Sequence, residues 1–183
     1  MKTPALLFLS ISAFSLSSQI FLFADTIPNQ LIDYSAFQKI VETSKGERES
    51  HRLTEDQFLA AMTEPGTVVL DARTGLRYDQ RHIKGAVNLP FTEFAAAPLA
   101  HVIPSKDTKI LIYCNNNFLN DPLAMVSKAP SASLNLSTYT SLKSYGYTNI
   151  YELGPLLDVN KTKLPFEGSE LKQASFSLPT VVQ

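Results

Sequence analysis

Four short apolar runs punctuate the chain: TVVLDAR (67–73), AVNLP (86–90), KDTKILIYC (106–114) and NIYELG (149–154). Uninterrupted β-branched and aliphatic runs of this length suit strands covered on both faces, so each predicts a buried strand. Helical patterns fall between them. Thr54-Glu55-Asp56-Gln57 carries the reciprocal pairing of a capping box and opens EDQFLAAM, with Phe58, Leu59 and Met62 on one face and Glu64-Pro65-Gly66 as the stop. Thr92 is placed to cap a helix running to about Ala100. Asp121 followed by Pro122 reads as the start of another, since proline suits a first helical position. Ser137 or Thr138 opens TYTSLKSYG, which Gly146 ends as a left-handed cap. TGLRYDQRHIKG reads as a loop. Strand and helix patterns that alternate at short spacing predict an α/β domain with a mostly parallel central sheet.

The flanks differ from this pattern. Lys2 precedes a long apolar, serine-rich run that ends near Ala24. The order fits an export signal over residues 1–24, cleaved after Leu22-Phe23-Ala24 or kept as a membrane anchor. The remainder is then expected outside the cytoplasm, periplasmic or extracellular. Residues 25–53 form an N-terminal extension in which LIDYSAFQKIV is apolar-periodic, while SKGERESHR reads as a solvated connection with His51 exposed. The expected domain covers 54–155, and the tail, 156–183, reads as irregular chain packed on it.

Length and composition set bounds. With 183 residues, 44% of them hydrophobic and 18% charged, one core is the expectation. A net charge of -1 and the lack of a basic, aromatic-interleaved stripe argue against nucleic acid as a partner. Three dispersed histidines and a single cysteine give no metal-ligand spacing, and the pattern calls for no cofactor.

The cysteine changes the picture. One cysteine cannot form an internal disulfide, and in an exported protein its thiol is either buried or used. Cys114 ends a predicted strand, where ligands of open parallel sheets bind, and Asn115, Asn116, Asn117, Phe118, Leu119 and Asn120 separate it from the Asp121 cap. Asparagine tolerates left-handed backbone, so this loop could turn its amide N–H groups onto the sulfur. Such donors would stabilise a thiolate, or a persulfide formed on it.

Asp71-Ala72-Arg73, then Tyr78, then HIKGAVNLP over 82–90, then an apolar strand ending in Tyr113-Cys114, then Gly146-Tyr147 ahead of NIYELG, resemble the rhodanese-like domain in order and spacing across residues 54–155. The resemblance implies a three-layer α/β/α fold around a central parallel sheet with the cysteine loop as active site. It also implies that Cys114 takes a sulfane sulfur as a persulfide and passes it to a thiol acceptor, small or protein. Asp71, Arg73 and His82 fall at positions that support the loop. Arg77 stands where the family often has Glu, and Arg81 replaces a usual Gly.

Departures refine the expectation. Members that use thiosulfate carry Arg or Lys in the loop, whereas residues 115–127 hold no basic residue, which argues against thiosulfate as donor. Related phosphatases clamp phosphate with an Arg where this chain has Asn120. Either Arg77 or Arg81 is placed to supply charge from a neighbouring loop. The expected activity is sulfur transfer through Cys114, the alternative a catalytically inactive module that binds a protein or a small anion. Thiol exchange with oxidised partners is a third reading.

Overall fold

In the computed structural model, Ile27 and residues 29–171 are described. The expected signal segment and the last part of the tail lie outside these residues.

The elements, in chain order, are α1 (Tyr34–Ser50), β1 (Arg52–Leu53), α2 (Glu55–Met62), β2 (Val68–Asp71), α3 (Gly75–Gln80), β3 (His82–Ile83), β4 (Val87–Asn88), α4 (Ala96–Val102), β5 (Ile110–Tyr113), β6 (Phe118–Leu119), α5 (Leu134–Ser144), β7 (Ile150–Leu153), β8 (Leu157–Asp158) and β9 (Phe166–Glu167). The main sheet has order β1-β7-β5-β2-β4, and every pairing in it is parallel. The α/β architecture with a central parallel sheet flanked by helices is therefore as expected. Two further two-stranded ladders, β3 with β9 and β6 with β8, bring the chain after residue 155 back onto the domain.

Alternation along the central strands builds two cores. Val69, Leu111 and Tyr113 face a cluster with Phe58 and Ala61 of α2, while Leu70, Ile110 and Ile112 face Leu99 and Ile103 at α4 and Tyr139 and Leu142 of α5. Successive residues of a strand point to opposite faces, so four apolar residues in a row serve both layers. The Thr54 capping box forms with Gln57, as the sequence predicts. Gly146, at φ 82, ends α5: its N–H reaches Lys143 O at 2.9 Å and that of Tyr147 reaches Leu142 O at 3.1 Å, the paired bonds of a left-handed C-cap.

Five local expectations are corrected. SKGERES is not a connection but the second half of α1, capped at its start by Asp33 Oδ1 on Ala36 N. Ion pairs hold this polar half in place: Arg48 to the buried Glu152, and Glu47 to Lys143. An apolar stripe is not needed where such pairs dock a helix, which is why periodicity missed it. His51 is half-buried, its Nδ1 2.9 Å from Ile150 O and its ring stacked on Tyr151 at 4.4 Å. TGLRYDQRHIKG contains α3 and β3. The helix expected from Thr92 begins at Ala96 instead, so that Pro98 falls in the first turn, where its missing N–H costs nothing. At Asp121 the cap forms, with Oδ1 accepting from Ala124 N at 2.8 Å, but the chain makes a single turn and then extends. The carbonyls of Val126 and Lys128 are taken by asparagine side chains, as described next, and Pro130 excludes helix at the residue before it.

Candidate active site

The chain runs from β2 to β4 on one side of the sheet and from β4 to β5 on the other, so the crevice at the carboxyl ends of β2 and β5 is a topological switch point. Cys114 follows β5 directly, and Ala72 and Arg73 follow β2. A cavity of about 400 Å³ opens there, lined among others by Ala72, Phe91, Asn115 and Leu134, with Arg77 and Lys128 at its wall.

The sulfur itself is enclosed. Cys114 is 1% exposed and clusters with Ala72 and Leu134, against which Phe91 and Phe94 pack. Sγ lies 3.5 Å from Ser133 Oγ and is faced by the main-chain N–H of Asn117. Of the loop amides expected to face the sulfur, that of Asn117 is turned toward the Cys114 side chain and also donates to Cys114 O at 3.1 Å, residues 115–117 forming a 3-10 turn, while Phe118 N donates to Asn115 O. Only Asn120, at φ 65, is left-handed. The asparagines act chiefly through their side chains.

Asn117 Oδ1 accepts from Cys114 N at 2.9 Å and from Asn135 Nδ2 at 3.1 Å, while its Nδ2 donates to Leu153 O at 2.7 Å. Asn115 Nδ2 donates to Val126 O. Asn116 bonds Lys128 both ways, Nδ2 to its carbonyl at 2.8 Å and Oδ1 from its N–H at 3.0 Å. Three adjacent amides thus bind the cysteine loop to β7, α5 and the extended segment 126–128. Such a network rigidifies what it holds. Phe118 leaves the site for the core, edge-on to Tyr113 and Phe166, and Leu119 continues along β6.

Asp71 and Arg73 form the buttress beneath. Both are buried; Arg73 Nε lies 3.0 and 3.1 Å from the two carboxylate oxygens, Nη2 2.5 Å from Oδ2, and Tyr113 Oη donates to Oδ2 at 2.5 Å. The remaining guanidinium donors reach Ala124 O at 3.0 Å and Arg81 O at 2.8 Å, so one side chain ties the end of β2 to the Asp121 turn and to the start of β3. Burial opposes the charge of Arg73, but Asp71 outweighs it and the pKa lies above the usual arginine value. Burial, reinforced by the Asp71 charge, pushes the Tyr113 phenol well above its ordinary value, so it stays a donor.

The other basic candidates separate. Arg77 lies at the cavity, with Nη1 donating to Leu123 O. Arg81 instead faces Asp121, 3.1 Å away, and crosses the Phe166 ring. His82 stacks on Tyr78 at 3.7 Å and bonds Tyr78 O at 2.8 Å, beside a different opening lined by Asp79 and Glu167. Sequence reasoning missed Ser133 and Lys128. Lys128 lies one residue beyond the segment scanned for loop charge, and Ser133 lies in a tract that reads as an interruption between helices.

The model of the family described as rhodanese-like domain matches residues 54–154. Among curated proteins, the chain is similar to the thiosulfate sulfurtransferase PspE of Escherichia coli, 25% identical over 95 residues, covering 52% of this chain and 76% of that one. It is also similar to the tRNA uridine(34) hydroxylase of Onion yellows phytoplasma, 29% identical over 106 residues, 55% of this chain but only 29% of that longer protein. Among solved structures, a Bacillus halodurans protein aligns with TM-score 0.50 at 16% identity, covering 76% of this chain and 99% of its own. The rhodanese-like domain of an Anabaena protein aligns with TM-score 0.48 at 17% identity, covering 73% and 87%.

Proposed function

Because the chain belongs to the rhodanese-like domain family, we propose that it transfers sulfane sulfur through a persulfide on Cys114 to a thiol acceptor. The observation that carries this reading is the place of Cys114: at the carboxyl end of the central strand β5, in the switch-point crevice, and packed against Ala72, Leu134 and Phe91, which line the adjoining cavity. Arg77 and Lys128 at that cavity supply the positive charge that residues 115–127 lack, and a negatively charged donor is drawn to them.

The chemistry balances in two displacements. The Cys114 thiolate attacks the outer sulfur of a persulfide or polysulfide, a new S–S bond forms, and the donor thiolate leaves with the electron pair of the broken bond. An acceptor thiolate then attacks the outer sulfur of the Cys114 persulfide, and Sγ leaves with the pair. Sγ is enclosed by Ala72, Ser133 and Leu134, so reaction requires a side chain of this wall to yield to each partner. The N-terminal pattern supports transfer outside the cytoplasm.

The test is sulfur loading. The protein is incubated with a polysulfide, a low-molecular-weight persulfide or thiosulfate, and intact mass is read for one added sulfur, for its discharge to cyanide, and for loss of both in Cys114→Ala. Loading and discharge support transfer. A second reading, a non-catalytic module that binds a protein or small anion, is favoured by the enclosure of Sγ and by the Phe118 amide turned to a carbonyl. A thiol inert to all three donors in the folded protein decides for it.

A further inference from the structure

A second opening, adjoining the first at Ser127 and Lys128, approaches the cysteine through Ser133. This cleft, about 610 Å³, lies between the end of β7, the N-terminus of α5 and the polar half of α1. Ser133, whose hydroxyl meets Sγ at 3.5 Å, is in its wall, so the cleft ends one side chain short of the sulfur. Two kinds of group face it.

The first is positive. Arg48 and Arg52 are balanced by Glu152, at 2.6 and 3.1 Å, and by Glu49, at 3.8 and 3.5 Å, so the positive charge left at the cleft is that of Lys128, which has no ion pair among the described residues. The eleven-residue helix α5 begins there with no side chain capping its N-terminus, where backbone N–H groups favour an anion. The second is an acceptor: Asn135, 5% exposed, lines the cleft, donates its amide N–H to Asn117, and keeps its Oδ1 without a partner. A buried carbonyl oxygen without a donor is costly, and a ligand N–H or ammonium relieves it.

From these together we infer that the cleft is the subsite for the acceptor, and that the acceptor is a small thiol bearing both a carboxylate and an ammonium, an amino-acid thiol. The carboxylate answers Lys128 and the α5 N-terminus; the ammonium answers Asn135. Arg48 and Arg52 precede the family-matched residues 54–154, so this wall is supplied by the chain's own N-terminal extension. The inference rests on the sulfur-transfer reading for the role of the ligand, but not for its binding.

Calorimetry with S-methyl-L-cysteine, which cannot accept sulfur, tests it. Binding is expected, about tenfold tighter than that of 2-(methylthio)ethylamine or 3-(methylthio)propionate, each of which lacks one charged group. Lys128→Met is expected to weaken the two carboxylates about tenfold and leave the amine unchanged; Asn135→Leu is expected to weaken the two ammonium ligands and spare the propionate. Lys128 is exposed, so its variant decides even if Asn135→Leu fails to fold. No binding, equal binding of all three compounds, or an unchanged Lys128→Met overturns the inference. Binding by a protein whose Cys114 takes up no sulfur sinks the transfer and leaves the subsite; loading without binding does the reverse.

Discussion

Replacing Asp71 by Asn removes the counter-charge of a buried arginine while changing almost no volume. In the native protein the carboxylate accepts from Arg73 N, Nε and Nη2 and from Tyr113 Oη, all within 3.1 Å. An amide in its place turns an NH₂ toward either the guanidinium or the phenol, donor against donor. Breaking a buried pair by removing one partner costs about 3–5 kcal/mol. Arg73 keeps its bonds to the Ala124 and Arg81 carbonyls, which places the expected loss near the lower end, about 3 kcal/mol. For a domain of this size that is a drop in Tm of roughly 6–12 °C. Urea unfolding should show a lower midpoint with an unchanged slope. Because the same guanidinium fixes the Asp121 turn beside the cavity, the folded variant should also lose protection of the Ala124 amide from hydrogen exchange. A loss under about 1 kcal/mol would refute the claim that Asp71 compensates a buried charge.

Other consequences can be measured directly. Burial raises the Glu152 carboxyl above its ordinary value of 4.5, against the opposing pull of Arg48 and Arg52; the native state then holds this proton more tightly than the unfolded chain, and the stability it contributes falls as pH rises from the unfolded pKa through the folded one. Wild type minus Glu152→Gln, compared by urea midpoints from about pH 4 to pH 7, should therefore decline with pH, and a rising difference contradicts it. Tyr113, raised by burial and by Asp71, should ionise only as the protein unfolds: stability falls as pH climbs past 10, and an absorbance titration of wild type against Tyr113→Phe should show one fewer late-ionising phenol. Gly168→Ala puts a Cβ 2.2 Å from Gln80 O at φ 141, so the β3–β9 ladder must shift; a loss of at least about 2 kcal/mol is expected, and a neutral variant would show that β9 is not held there.

The central sheet was legible because its strands are buried on both faces and therefore announce themselves as apolar runs, and α2 because its cap and its stop are local chemistry. What escaped was everything fixed by distant partners. α1 owes its second half to Glu152 and Lys143, about a hundred residues away. Likewise β8 and β9 exist because Phe118 and Ile83 offer them edges, and neither segment carries a periodicity of its own. At the site, the sequence placed Cys114 at a strand end and located the loop, but assigned the loop's hydrogen bonds to its backbone. Side-chain amides have four bonding positions each, and in a loop their targets lie in other segments, so composition could indicate that Asn115, Asn116 and Asn117 bond something without indicating what.

The pairing of β1 with β7 bears on how this protein can be divided. A fragment beginning at residue 54, where the family match starts, would discard β1 and both arginines that flank Glu152. It would bare the main chain of β7 along its whole outer side and strand a carboxylate inside the protein without a cation, two defects that favour strand-to-strand association between molecules over a stable monomer. The shortest soluble fragment should therefore start ahead of α1, at or before Asp33, 21 residues earlier than the family boundary at residue 54 implies.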